Sequence, residues 1–237
     1  MDIRFILLAI GAYLLGSVPA AYLAVKWSKG VDIREVGTGK VGAANVLNAG
    51  GPRWLAIPVA IFDIGKGAVV VFIAKKMHLG PAYPVIAGLC AIIGHDWPVY
   101  LAFKSGGRGV FVSLGVIFML SWPIGLIALI FPYLLAPVKQ VAFVVFCVFL
   151  TLPLLSNYLL PFLSNHFPGA IRVEDKAAIT LGFLALSAIA LMKRTIARRT
   201  ELSKDMPLDK VIFYRLLFDR DIADRKLWNS RAIKNQG

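Results

Sequence analysis

Residues Val110–Ala136, VFVSLGVIFMLSWPIGLIALIFPYLLA, form a charge-free stretch of 27 residues with Ser121-Trp122-Pro123 near its middle. A helix crossing the hydrocarbon layer of about 30 Å needs about 20 apolar residues. The stretch therefore reads either as one tilted span or as two short helices broken at the proline. The flanking spans are less ambiguous. Phe5–Val25 is uncharged, Trp54–Ala74 carries only Asp63 and Lys66, and Pro81–Phe103 carries only His95 and Asp96. Gln140–Leu163 and Ala177–Met192 are again charge-free.

Charge parity chooses between the two readings. The loop Lys26–Arg53 holds five basic residues against two acidic, and the tail from Lys193 onward holds twelve against six. The positive-inside rule places both in the cytoplasm, so an even number of crossings must separate them. The four flanking spans already make an even number, and the central stretch must add two or none. We read it as a helical hairpin of short spans. The sequence thus predicts an all-α polytopic membrane protein of seven transmembrane helices, with the N-terminus outside and the C-terminus cytoplasmic. Lys75 and Lys76 then fall on the outer side, where two lysines at a helix end can snorkel to the interface. A cleaved signal peptide is disfavoured, because Met1–Arg4 has no net positive side-chain charge and apolar spans continue along the chain.

Composition agrees with this reading. Of the 237 residues 58% are hydrophobic and 16% charged, whereas a soluble domain has about a quarter charged. Disordered, collagenous and disulfide-stapled classes are excluded on the same ground. The net charge of +13 points to membrane orientation and to anionic lipids or ligands, with no nucleic acid among the partners. Cys90 and Cys147 lie in apolar runs and read as small core residues. The composition shifts near residue 200, dividing the chain into a membrane domain, 1–199, and a basic cytoplasmic tail, 200–237. Within that tail Val211, Tyr214, Leu217 and Phe218 share one helical stripe, as expected of an amphipathic helix on the inner leaflet or of an ordinary helix packed on the protein.

Two glycine-rich segments carry the chemistry. Gly37-Thr38-Gly39-Lys40-Val41-Gly42 fits G-x-G-x-x-G, but a dinucleotide-binding reading needs a strand before it and a βαβ unit around it, and membrane spans bracket it instead. The local physics still applies: glycines let a backbone approach an anion, and residues 43–47 can begin a helix behind it. A plain interhelical loop is the competing reading. Lys104-Ser105-Gly106-Gly107-Arg108-Gly109 lies on the same side, with a guanidinium whose planar fork matches phosphate. Two anion-type loops on one face imply a site for two anionic groups or one large one. Asp63 and Lys66 stand at i, i+3 within a span, either functional or an ion pair that fixes helix packing. His95 is either an acid–base group or a hydrogen-bonded structural histidine. No metal-ligand spacing exists, since His78, His95 and His166 are isolated, and no cofactor is expected.

These segments together resemble the PlsY-type family, bacterial membrane acyltransferases that use acyl phosphate to acylate glycerol 3-phosphate. Tyr13-Leu-Leu-Gly-Ser-Val-Pro19 is similar to that family's Y-L-L-G-S-I-P. Residues Gly30–Val46 follow its G-x-D-[IL]-R-x-x-G-S-G-N-x-G-A-T-N-V, Asp63–Gly67 matches D-x-x-K-G, and Gly94–Gly109 resembles L-G-H-x-x-P-V-F-x-G-F-K-G-G-K-G. The match runs unbroken from about residue 10 to residue 120. It implies seven spans with an outer N-terminus, an inner-membrane location, and acyl phosphate, glycerol 3-phosphate and membrane lipids as partners.

By that resemblance Thr38, Asn45 and Arg108 stand at catalytic positions. Gly37, Gly39, Lys40, Gly42, Asn48, Lys66, Lys104, Gly106 and Gly107 stand in the substrate-binding set, with Asp63 and His95 near the site. There are departures. Lys40 replaces a family asparagine, Ala44 a threonine, Arg108 a lysine, and Asn48 an arginine that contacts phosphate. Ser105 reads as an insertion, and the histidine and asparagine expected after the last span are replaced by the basic run Lys193–Arg198. The implied reaction moves an acyl group to a glycerol hydroxyl by proximity, with Lys40, Lys104, Arg108 and either Arg53 or Arg194 offsetting the phosphate charge. The alternative is a non-catalytic or transport relative that binds an anionic lipid or phosphate.

Overall fold

The structure is a computed structural model that describes residues 2–36, 38–48, 53–134, 141–166, 175–197 and 200–228, with backbone only at 48, 53, 133 and 134. Among these residues every regular element is helical. Asp2 caps the first helix, α1 (Ile3–Ser17), by accepting a bond from the Arg4 amide at 2.8 Å. Val18-Pro19 interrupts it, and α2 (Ala20–Lys29) continues to Gly30, whose φ of 70° ends the helix in the left-handed region. The short α3 (Ala43–Asn48) follows the first glycine-rich loop. Then come α4 (Ala56–Lys76), α5 (Ala82–Asp96), α6 (Val110–Leu120), α7 (Trp122–Leu134), α8 (Val141–His166), α9 (Lys176–Thr195) and α10 (Leu208–Phe218).

Among the described residues five helical stretches are long and apolar enough to cross a membrane: 3–29, 56–76, 82–101, 141–166 and 176–195. The helices α6 and α7 are shorter, and the chain breaks between them. The break falls at Ser121, which is extended with φ −152° and ψ 99°. It precedes the proline rather than coinciding with it, because Pro123 sits in the first turn of α7, where its missing N–H leaves no bond unmade. The pair leaves and returns at one end of the bundle. Arg108, just before α6, touches the carbonyl of Lys193 near the end of α9, and Arg194 donates to the carbonyl of Ala142 at the start of α8 at 3.0 Å. At the opposite tip, Lys75 donates to the carbonyl of Met119, so it caps the last turn of α6 rather than merely reaching for the interface. Lys76 lies 5.5 Å from the Phe72 ring.

Small residues set the helix pairs. The helices α1 and α5 meet with Gly16 on the Ala91 backbone and Gly94 on the Tyr13 backbone; α4 and α6 meet with Gly67 on Val112 and Gly115 on Ile64. Such close approach is how helices gain packing when lipid is as apolar as their side chains. Val71, Ile92, Val112, Ile117, Leu152 and Phe183 fill the interior, while Leu7, Ile61, Leu154 and Leu181 point outward, as a lipid-facing surface requires. A second apolar cluster joins Val25 of α2 to Ile33, Val36, Val41 and Val46. The first glycine-rich segment is therefore folded around its own small core and is not a plain linker.

The tail helix follows the packing reading of its apolar stripe. Val211 and Arg215 are buried, and α10 packs on α8 and α9, with the Phe218 ring 6.5 Å from Phe143. Its apolar stripe turns toward the protein, because the ends of α8 and α9 offer apolar surface there. Leu208 and Phe213 remain exposed.

Candidate active site

The two glycine-rich segments, the end of α9 and the tail enclose one cleft of about 880 Å³. Thr38, Gly39, Lys40, Lys104, Ser105, Gly106 and Arg108 all line it, together with Lys193, Arg215, Asp219 and Asp221.

Asn45 shapes the first segment. It is 2% exposed, its amide nitrogen lies 3.0–3.1 Å from the carbonyls of Ile33, Val36 and Lys40, and its oxygen accepts from the Thr38 amide at 2.7 Å. With its polar atoms spent inside the turn, Asn45 does not reach the cleft wall; it braces the loop that presents Thr38 and Lys40. Gly39 turns the chain there with φ 69°. Gly42 lies behind the wall, where its carbonyl accepts from the Asn45 amide at 2.9 Å. Gly37 and the side chains of Asn48 and Arg53 lie outside the described residues, as does Arg198.

The second segment is held against the end of α5. Ala102 and Phe103 adopt φ of 53° and 61°, a conformation that non-glycine residues seldom take and that recurs at functional sites. The Gly107 amide donates to the carbonyl of His95 at 3.1 Å, and a Cβ at this position would run into the His95 ring. Gly107 is thus a packing residue whose amide is not offered to an anion. Gly109, with φ 63°, would set a Cβ 3.1 Å from Oδ1 of the fully buried Asp96. The result is that Arg108 projects into the cleft from a segment clamped on both sides.

Lys66 is placed differently from the substrate contact expected of it, and it meets Asp63 and His95, both expected near the site. Lys66 Nζ sits 3.0 Å from Asp63 Oδ1, 2.9 Å from His95 Nδ1, and donates to the carbonyls of Gly16 and Val18 at 2.8 and 3.2 Å. All three side chains are buried and none lines the cleft. The network ties α1, α4 and α5 at the break after α1, where the Gly16 and Val18 carbonyls come within reach of Lys66. Lys66 is therefore a structural cation, since every donor direction is used inside the bundle.

Two residues central to the cleft were not among the expected site residues. Lys193 lies 4.3 Å from the Trp97 ring and donates to the Asp96 carbonyl. Asp219, from the tail, pairs with Lys40 and stands 2.8 Å from Arg108 Nε. Arg194 donates to the Leu216 carbonyl at 2.7 Å and helps dock the tail. Burial pushes the Lys40 ammonium down to about 8, with Arg108 and Arg194 acting in the same direction and Asp219 opposing them. Burial alone would raise the Asp219 carboxyl, but Lys40, Arg108 and Arg194 together hold it below the usual carboxylate range. The one useful hint in the sequence was Lys40: a cation gained in a tight loop calls for an acid somewhere.

A helical bundle with five long apolar helices and a cation-lined cleft at one end defines the class of integral membrane proteins with a charged site among their helix ends. Residues 6–201 match the glycerol-3-phosphate acyltransferase family, and the chain belongs to it. It is 37% identical to glycerol-3-phosphate acyltransferase 5 of Dehalococcoides mccartyi, over 98% of this chain and 95% of that one. A glycerol-3-phosphate acyltransferase of Synechococcus sp. is 50% identical over 52% of this chain and 60% of its own. The fold is similar to crystal structures of PlsY (YgiH), an integral membrane glycerol 3-phosphate acyltransferase. For its glycerol 3-phosphate form the TM-score is 0.65 at 28% identity, covering 81% of this chain and 88% of that one.

Proposed function

We propose that the protein transfers an acyl group from acyl phosphate to glycerol 3-phosphate, giving lysophosphatidate and inorganic phosphate, as a step in phospholipid synthesis. The carrying observation is the junction of two environments. The cleft bearing Lys40, Lys104, Arg108 and Lys193 is lined by cations, and at Val110, next but one to Arg108, begins an apolar groove of about 120 Å³ between α6, α7 and α8. An acyl phosphate would set its phosphate among the cations and its chain in the groove. Charge-assisted bonds from Arg108 and Lys40 offset repulsion between the two phosphates, and Thr38 contributes a hydroxyl at the same wall. The glycerol hydroxyl oxygen then attacks the acyl carbon, the carbon–oxygen bond to phosphate breaks, and the departing phosphate takes the hydroxyl proton. Holding the reactants together supplies the acceleration.

In this reading the chain makes seven crossings of a bacterial cytoplasmic membrane, α6 and α7 being two short ones. The cleft, the loop of residues 30–50 and the tail of residues 200–237 face the cytoplasm. Cysteines placed at Ser28 and at the exposed Lys204 should resist a membrane-impermeant reagent in intact cells, while one at Lys76 should react. Ser203 is unsuitable for this purpose because it is buried.

Binding of phosphate or an anionic lipid without turnover is the alternative, favoured by Asn48 standing where the family has an arginine. Purified full-length protein incubated with acyl phosphate and glycerol 3-phosphate decides between them. Lysophosphatidate and phosphate released in equal amounts are expected; tight binding of glycerol 3-phosphate with no product would leave only the alternative.

A further inference from the structure

We infer that Asp219, carried by the C-terminal tail, is a positioning residue of the phosphate site: it holds the Lys40 ammonium and the Arg108 guanidinium in place for substrate, so that the site is incomplete without the tail. The inference rests on the reading of this cleft as the phosphate site. The family match ends at residue 201, yet the match to the Dehalococcoides relative covers 98% of the chain and so reaches well into the tail.

The geometry supports it in three ways. First, Asp219 addresses both cations at once: its carboxylate and its backbone carbonyl accept from Lys40 Nζ, and Oδ1 lies 2.8 Å from Arg108 Nε. The Arg108 Nη1 edge is fixed separately by a hydrogen bond to the Lys193 carbonyl, so the guanidinium is held by one acceptor at Nη1 and by the Asp219 ion pair at Nε. An orienting partner of this kind is what a fork-shaped donor needs to meet phosphate in register. Second, the residue is placed at a conformational cost. Asp219 ends α10 with φ 54°, in the left-handed region where a helix end more often uses glycine.

Third, the tail is anchored too firmly for Asp219 to be a plug that substrate pushes aside. Arg215 pairs with Asp221 at 2.7 Å, both side chains 4% exposed, and donates to the Thr195 and Ala197 carbonyls at 3.0 and 2.8 Å. Asp221 also accepts from Ser203 and Thr200 at 2.7 and 2.8 Å. Removing one partner from such a buried network is strongly unfavourable.

A second consequence concerns charge. Lys40 is faced by Asp219 from the tail, Arg108 from the second glycine-rich segment and Arg194 from α9. Only Asp219 among these favours the ammonium form. Neutralising it lowers the pH above which Lys40 ceases to be a cation.

The test is glycerol 3-phosphate binding by full-length protein in detergent, followed by calorimetry from pH 6 to pH 9, for wild type, Asp219→Asn and Asp219→Glu. Asp219→Asn should weaken binding at pH 7 by about tenfold or more, the size of losing one charge-assisted contact. Its alkaline limb should move to lower pH, and Asp219→Glu should recover part of both effects. Lys40→Met supplies an independent arm: adding Asp219→Asn to it should cost less than adding it to wild type, because part of the loss passes through Lys40. Equal or tighter binding by Asp219→Asn would mean that the carboxylate only occupies the phosphate's place. An unmoved alkaline limb, or strict additivity with Lys40→Met, would reduce Asp219 to a structural brace; each outcome overturns the inference. Wild type that binds glycerol 3-phosphate but does not turn over acyl phosphate sinks the donor assignment alone, whereas wild type that does not bind removes both.

Discussion

The protein holds two constellations in which a lysine meets an aspartate, and they differ in what can reach them. Asp63, Lys66 and His95 have side chains that are 4%, 1% and 8% exposed, whereas Lys40, Arg108 and Asp219 are 22%, 15% and 19% exposed. The first set is sealed among helices, and its cation is used up on internal acceptors. The second opens on a cleft, so its cations can meet a ligand while Asp219 still holds them. A lysine near an aspartate is thus a brace or a binding group depending on whether water, and hence substrate, can reach it.

The comparison is most sharply tested by Lys66→Met. Leaving Asp63 charged and unpaired inside the bundle should cost about 3–5 kcal/mol, seen as a large fall in Tm or loss of monodisperse protein in detergent. The double variant Asp63→Leu with Lys66→Met should recover much of that loss, since apolar replacements remove both charges together. A stable Lys66→Met protein with a raised KM for glycerol 3-phosphate would return Lys66 to the binding set and break the distinction.

The mirror experiment is Arg108→Ala. Here Tm should change little while kcat/KM falls by about 10- to 150-fold, the equivalent of roughly 1.5–3 kcal/mol for a charge-assisted phosphate contact. Unchanged kinetics in a folded protein would take Arg108 out of the site.

A subtler effect is expected at the first loop. Lys40→Ala should remove most activity, and Lys40→Asn combined with Asn48→Arg should restore part of it if a cation lost at one position is replaced at the other. A double variant no better than Lys40→Ala would show that the two positions do not serve one phosphate.

The pH dependence separates the regions further. Lys40 titrates at about 8, and a phosphate monoester is a dianion above about pH 6. Affinity for glycerol 3-phosphate should therefore be greatest between these limits and decline as pH rises through 8. A flat profile to pH 9 in wild type would mean that the Lys40 charge does not matter.

The smallest effect concerns the tail anchor. Burial would raise the Asp221 carboxyl, but bonds from Arg215, Ser203 and Thr200 outweigh it and depress the group to about 2. Because this folded-state value lies below the unfolded one of about 3.9, the contribution to docking is fully present above that pH and is lost as pH falls through 2. Limited proteolysis should find the tail protected at pH 5; cleavage rising between pH 7 and 5 would contradict the anchor.

Much of this architecture was legible without coordinates. Charge-free runs and the requirement that backbone groups be satisfied in lipid demand helices, and the basic excess at 26–53 and beyond 193 demands that these segments share a face. Parity then asks 110–136 to return to its starting side, and Arg108 and Ala142 both lie beside the end of α9. The glycine pattern likewise located both walls of the cleft, because close backbone approach and left-handed φ restrict the residue type wherever they occur. These are constraints of period, charge and local conformation, and each is written in consecutive residues.

What only the tertiary structure decided is which polar groups meet. Lys66 and Lys40 are indistinguishable as letters, and their roles separate only when the break after α1 offers the carbonyls of Gly16 and Val18 to one, and the tail brings Asp219 to the other. Asn45 turned inward because three carbonyls of its own loop lie within reach of one amide. Asp219 pairs with Lys40 across 179 residues of chain. A pairing at that separation leaves no local trace, since its energy depends on the distance and burial of two side chains and not on any pattern along the sequence.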